Sequence, residues 1–294
     1  MQDFDYWEPG SLSEAVALLA ASKGQAFPLA GGTDLLLKLQ KGHAKGTGVI
    51  NLKHLPELAE LSMGKTSLSI GALTTISSLL ANKDVSNYFP ALASGARALG
   101  TPQIRNLATV GGNLCNASPA ADLAVALLAY EGRLKISGPE GSRTLAAEDF
   151  FTGPGQTALN RGEILTEVEI DIPPVHSWGV FKKHGLRKSH EIALVNAVVL
   201  ITLEQGSDRI AAARIALGAV ASTPLRIRSA EKGLVGTRGG IEAWAEAAEQ
   251  VMAAVSPIDD VRSTGDYRRH MAGVLTRRAL HEAWEGAYET ANHA

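Results

Sequence analysis

Residues 109–122 read TVGGNLCNASPAAD, and they run directly into ADLAVALLAY at 121–130, an apolar stretch that reads as a buried helix. Gly111 and Gly112 carry no side chain, so the backbone can take strained angles and a ligand can approach its N–H groups. A loop of N–H donors feeding a helix start is a ready anion site. No Lys or Arg lies in the stretch, so a phosphate held here is held by peptide dipoles and hydroxyls. A tight turn in a glycine-rich chain is the plainer alternative. The same order of features occurs once before. Phe27 to Ala30 reads as a short strand, Gly31-Gly32 as a turn, and Thr33 or Asp34 as the cap of a helix bearing Leu35, Leu36 and Leu39.

Between and beyond these two segments the pattern alternates. Ser11 and Ser13 are candidate caps for a helix with Ala15, Val16, Leu18 and Leu19 on one face. Val49 to Leu52 and Leu68 to Gly71 read as strands, and LTTISSLLANK and PALASGARALG as helices. Leu134 to Ile136 is a strand, GPEGSR a turn, and Ile164 to Ile172 alternates with period two until Pro173-Pro174 stops it. That Pro pair marks a domain boundary, dividing 1–175 (subdomains of about 1–57 and 58–175) from 176–294. Beyond the boundary, a pair of apolar runs flanks Gly206-Ser207-Asp208 as an antiparallel hairpin, and helices are expected at about 226–235, 240–254 and 264–289. The last carries Met271, Val274, Leu275, Ala283, Trp284 and Ala287 on one face. Arg268, Arg269, Arg277 and Arg278 fall largely off it, as a solvated or salt-bridging surface rather than a nucleotide site.

With 294 residues the chain is long enough for a sizeable core, and a formal charge of -2 argues against nucleic acid or a membrane surface as the main partner. The N-terminus lacks the basic-then-apolar pattern of a secretory signal, and no apolar run reaches the ~18 residues of a spanning helix, so the cytoplasm is expected. The single cysteine, Cys115, excludes an internal disulfide, a thiolate zinc site and an iron–sulfur cluster ligated by this chain alone. Cys115 itself reads as a small buried apolar residue.

Several motifs fail on inspection. Gly64-Lys65-Thr66 lacks the leading Gly of a phosphate-binding P-loop and is followed by a strand, so it is a turn. His190-Glu191 lacks the second His of a zinc protease, Ser94 lacks the first Gly of a nucleophile elbow, and the G-x-G-x-x-G dinucleotide fingerprint is absent. No catalytic dyad and no metal site is expected. The two glycine segments remain, which can clamp a diphosphate from opposite sides, each N–H to phosphate bond contributing roughly 1.5–3 kcal/mol. Thr33, Thr109 and Ser118 can add hydroxyls and Asn113 an amide. Asp122 would repel a phosphate, and either accepts from a cofactor hydroxyl or caps the following helix.

AGGTDLL at 30–36, QIRNLATVGGNLCNASPAAD at 103–122 and GEIL at 162–165 together resemble the flavin-binding medium subunit of the molybdenum hydroxylases, the xanthine dehydrogenase and carbon monoxide dehydrogenase family. FKKHGLR at 181–187, LGAVASTPLR at 217–226 and DDVRSTGDYRRHMAGVLTRRAL at 259–280 resemble its C-terminal domain, so the likeness covers nearly the whole chain. It implies an α+β architecture: FAD between two subdomains in the fold shared with vanillyl-alcohol oxidase, then a smaller C-terminal domain with an antiparallel sheet and helices. Carried over, Ala30, Gly31, Gly32, Thr33, Asp34 and Leu35 form one pyrophosphate loop, and Thr109, Gly111, Gly112 and Asn113 the other. Thr101, Ser118 and Asp122 complete the set. Leu165 lies against the isoalloxazine ring, and Lys183 matches an aromatic-x-Lys position in which Phe181 is the aromatic.

The resemblance implies an electron-transfer subunit of a heterotrimer, assembled as a dimer of heterotrimers. Molybdopterin would sit in a large partner subunit and two-iron two-sulfur clusters in a small one. Electrons would reach FAD here and leave to NAD, oxygen or a quinone. A lone cysteine fits that division, and leaves no ligands for the extra cluster of benzoyl-CoA-type relatives. Two alternatives stand beside it: a self-contained flavin oxidase or reductase of the vanillyl-alcohol oxidase superfamily, and a non-enzymatic module that keeps the fold without flavin.

Overall fold

The computed structural model describes residues 4–187 and 191–293, and His190 lies outside the described residues. The chain opens with a strand–helix–strand–helix–strand unit: β1 (Asp5–Trp7), α1 (Leu12–Ala21), β2 (Ala26–Leu29), α2 (Leu35–Gln40) and β3 (Gly48–Asn51). Its three strands pair in parallel in the order β1-β3-β2, so both crossovers are helices, as parallel pairing requires. Ser11 caps α1 by accepting from the Glu14 N–H at 3.2 Å, as the sequence predicts.

The second unit starts with β4 (Leu61–Met63) and β5 (Ser67–Gly71), followed by a run of short helices: α3 (Ile76–Ala81), α4 (Lys83–Tyr88), α5 (Pro90–Ala98), α6 (Pro102–Leu107), α7 (Val110–Cys115) and α8 (Asp122–Ala129). It continues through β6 (Arg133–Gly138), β7 (Gly141–Ala146), α9 (Ala147–Phe150), β8 (Phe151–Gly153), β9 (Gln156–Thr157) and β10 (Ile164–Asp171). The five-stranded sheet runs β4-β5-β10-β6-β7, with antiparallel pairing throughout. All eight residues of α8 are buried, which is why its sequence shows no polar face.

After Pro173-Pro174 come β11 (Ser177–His184), β12 (Val195–Leu203), β13 (Ile210–Gly218), β14 (Leu225–Arg226) and the helices α10 (Arg228–Leu234), α11 (Ile241–Ala254) and α12 (Gly265–His293). The sheet is antiparallel in chain order, and β12 and β13 form the expected hairpin. Strand β12 is apolar on both faces because each face has a partner. Val198 and Leu200 enter the core of the second unit, while Ala197, Val199 and Ile201 pack with α11 and α12. The N-terminal and C-terminal regions are thus joined through a shared apolar layer.

Two features of α12 differ from the sequence expectation. Of the expected face, Leu275, Ala283 and Ala287 are buried and Met271, Val274 and Trp284 only partly so, while the buried stripe also takes in Ala272, Ala279 and Leu280. Arg268 is not a surface residue: it is 2 % exposed, donating through Nη1 to the Leu194 carbonyl at 2.7 Å and through Nη2 to Asp260 Oδ1 at 2.8 Å. A guanidinium is buried only with such partners, and Asp260 lies eight residues upstream where no helical spacing reveals it. Arg277 and Arg278 are exposed, as expected.

Candidate functional site

The two glycine segments meet. A Cβ built on Gly112 would lie 3.9 Å from the Cβ of Ala30, and one built on Gly31 would collide with the Leu107 carbonyl oxygen. Between them opens a cleft of about 300 Å³ lined on one side by residues 30–35 and on the other by Thr109, Gly112 and Asn113. Leu99 and Ile104 supply an apolar wall. A volume at the lower end of small-molecule sites suits one stretch of an elongated ligand.

The segments have different roles. Gly111 and Gly112 do not form a loop of free donors; they lie in the first turn of α7, capped by Thr109. The N–H groups of this turn are committed: Val110 donates to the Thr74 carbonyl at 3.0 Å, Gly111 to the Ala72 carbonyl at 2.8 Å and Gly112 to Thr109 Oγ1 at 3.0 Å. Gly111 is glycine because a Cβ there would stand 2.6 Å from that of Ala72. The Gly31–Leu35 segment is the opposite case. Among the described residues no protein acceptor engages five consecutive N–H groups, those of Gly31, Gly32, Thr33, Asp34 and Leu35. Asp34 stands at the helix cap but makes no side-chain capping bond, and Gly32 has a left-handed φ of 78°. Polar backbone groups that lack a protein partner need water or a ligand. Asn113 Oδ1 is buried and likewise without a partner. Donors on one wall and an unpartnered side-chain amide on the other fit a polyanionic group with hydroxyls.

The remaining predicted site residues do not line this cleft. Thr101 caps α6, accepting from the Ile104 N–H at 3.3 Å, and with Lys183 lines a second cavity of about 390 Å³ behind α6. Lys183 Nζ donates to Asp122 Oδ2 at 2.6 Å and to the Ala98 carbonyl at 3.3 Å. Asp122 Oδ1 accepts from Asn196 Nδ2 at 2.9 Å. Burial pushes the Asp122 carboxyl up, while Lys183 and Asn196 pull it down. Asp122 occupies the first turn of α8 without a side-chain capping bond, so its main partner is a lysine 61 residues away. Ser118 Oγ accepts from the Ala120 N–H at 3.3 Å, outside the cleft. Leu165 is buried on β10, beside the irregularity between Leu165 and Glu167.

Three further lining residues emerge. Lys38, on α2, places its Nζ 2.6 Å from Asn116 Oδ1, so the cleft has a cation that the glycine segments themselves lack. The sequence carries a signal for it, since Lys38 is one helical turn beyond Asp34. Asn116 lies within the 109–122 stretch, just past the end of α7. Cys115 is exposed in the wall of the cleft rather than buried, because the last turn of α7 faces the opening. Among the described residues no three His, Cys, Asp or Glu side chains cluster as a metal site, and no helix is long and apolar enough to cross a membrane.

Known proteins resemble this chain over nearly its whole length. Residues 2–173 match the family described as FAD binding domain in molybdopterin dehydrogenase, and residues 180–283 match the CO dehydrogenase flavoprotein C-terminal domain. The chain is 34% identical to the carbon monoxide dehydrogenase medium chain of Afipia carboxidovorans, over 95% of this chain and 96% of the relative. It is 32% identical to the xanthine dehydrogenase FAD-binding subunit of Escherichia coli O157:H7, over 96% and 97%. A solved structure of reconstituted CO dehydrogenase from Oligotropha carboxidovorans superposes with a TM-score of 0.93 at 33% identity, covering 96% of this chain and 98% of that one.

Proposed function

This chain belongs to the FAD-binding medium-subunit family of the molybdenum hydroxylases, and on that premise we propose that it carries electrons between a partner's iron–sulfur clusters and an external acceptor. The observation that carries the reading is the row of five N–H groups without a protein acceptor, in a segment that lines the same cleft as Thr109 and Asn113. These amides hold the FAD diphosphate, with Thr33 and Thr109 adding hydroxyls. Gly31 and Gly112 keep the two walls close enough for both to touch it. By family resemblance Thr101, Ser118, Asp122, Leu165 and Lys183 complete the ligand set. Within that set Asp122 and Asn196 fix where the Lys183 ammonium stands.

When bound, FAD supplies the redox chemistry, and the protein supplies binding, orientation and electrostatics. No acid–base dyad is needed for such a role. The partners are a large molybdopterin subunit and a small iron–sulfur subunit, arranged as a dimer of heterotrimers in the cytoplasm. Residues 1–175 form the FAD-binding domain and 176–294 the C-terminal domain.

The test is reconstitution. With the large subunit, its substrate and this chain present, bleaching of the flavin absorbance is expected only when the small subunit is added. Flavin reduction by a small substrate with this chain alone would overturn the proposal in favour of a self-contained flavin enzyme.

A further inference from the structure

Lys38 is the single cation and Asp34 the single anion among the described residues that line the cleft. The two are four residues apart at α2 and so share a face, yet the ammonium is not on the carboxylate. Lys38 Nζ donates to Asn116 Oδ1 at 2.6 Å, and Asn116 Nδ2 donates to Asp34 Oδ1 at 3.3 Å. Asn116 follows α7, whose other end holds Thr109 and Gly112, and its own N–H is tied to the Gly112 carbonyl at 3.0 Å. One amide side chain therefore bridges the two glycine segments across the opening and separates a charge pair that would otherwise close on itself.

We propose that Lys38 is the counter-charge for the cofactor's diphosphate and that Asn116 is the positioning residue that aims it. The proposal rests on the preceding reading and deepens it. An ammonium has three donors, and Asn116 uses one, leaving two for phosphate oxygens. Backbone dipoles alone would face two negative charges on the diphosphate plus that of Asp34. Lys38 offsets one of these, and the Asn116 amide engages the Asp34 carboxylate.

The experiment is titration of FAD into flavin-stripped protein, at low and high ionic strength, for wild type, Lys38→Met, Lys38→Arg and Asn116→Ala. Lys38→Met is expected to weaken FAD binding about tenfold at low salt, on the scale of one charge-assisted hydrogen bond in a wet site, and to flatten the salt dependence. Lys38→Arg keeps most of the affinity and the salt dependence. Asn116→Ala weakens binding less than Lys38→Met. The melting temperature of Lys38→Met stays within a few degrees of wild type, because the side chain is exposed. Wild-type affinity and salt response in Lys38→Met would overturn the counter-charge role, and an unchanged Asn116→Ala would overturn the positioning role. Wild-type protein that takes up no FAD would instead overturn the reading beneath it.

Discussion

Lys183 Nζ stands 2.6 Å from Asp122 Oδ2, and the pair joins strand β11 of the C-terminal sheet to the first turn of the buried helix α8. Both side chains are largely buried, at 13% and 7% exposure, so removing either leaves the other without its charge partner in a poorly hydrated site. A carboxylate in the first turn also gains from the helix dipole. This contact holds the second cavity wall in place and couples the C-terminal sheet to the N-terminal region.

Lys183→Met strands the Asp122 carboxylate in a buried site, which costs roughly 3–5 kcal/mol at neutral pH. Burial already pushes the Asp122 carboxyl up, and loss of the ammonium removes the larger of the two influences opposing that shift. An acid whose folded pKa is raised contributes fully below its unfolded pKa and loses that contribution as pH rises through the folded value. The deficit of the variant is therefore largest at neutral pH and narrows on acidification. Urea midpoints at several pH values measure it, and a deficit independent of pH would contradict this.

Gly31→Ala and Gly112→Ala separate the roles of the two glycine segments. At Gly31 the new methyl meets the Leu107 carbonyl and Ala108 Cα, both backbone, so the loop must shift; overpacking of this kind costs about 1–3 kcal/mol. At Gly112 it meets Thr109 Oγ1 at 2.8 Å, so that hydroxyl must turn and give up its cap on α7, roughly 0.5–2 kcal/mol, against which alanine favours the helix by roughly 0.5–1 kcal/mol. Thermal melts of the two variants should therefore differ, with Gly31→Ala the less stable. FAD content should fall further in Gly31→Ala, since that loop carries the unpaired amides. Equal loss in both would contradict the asymmetry.

Much of this was legible in the residues themselves. The period-two run ending at Pro173, the hairpin around Gly206 and the helices after residue 226 were readable because each has a local pattern and a clear stop. The proximity of the glycine segments was suggested by their repeated logic. Other features are non-local. Nothing near Asp122 announces Lys183, nothing near Arg268 announces Asp260, and the helical state of Gly111-Gly112 depends on the carbonyl oxygens of Ala72 and Thr74. Glycine pairs read as turns by propensity, and here tertiary hydrogen bonds override it.

Glu163 belongs to the GEIL motif, and its contacts are structural. Its carboxylate accepts from Arg143 Nε and Nη2, each at 2.8 Å, and from the Asn160 N–H at 2.6 Å, fastening the turn that enters β10 ahead of Leu165. These bonds, led by Arg143, hold its pKa down at about 2, against an ordinary 4.5. A lowered folded pKa contributes stability above the unfolded value that is lost as pH falls through the folded one. Wild type should thus lose this contribution between about pH 4.5 and about pH 2, while Glu163→Gln starts less stable at pH 7 and falls less over that window. Parallel acid-unfolding curves for the two proteins would contradict the assignment.

The cleft between residues 30–35 and 109–113 is proposed to hold FAD. The most direct measurement is the flavin content of the purified chain: absorbance of the folded protein in the flavin bands, then identification of what is released on denaturation. One FAD per chain is expected, lost on dialysis against high salt more readily from Gly31→Ala than from wild type. A colourless protein that neither retains nor rebinds FAD, or one whose affinity is indifferent to Gly31→Ala, would contradict it.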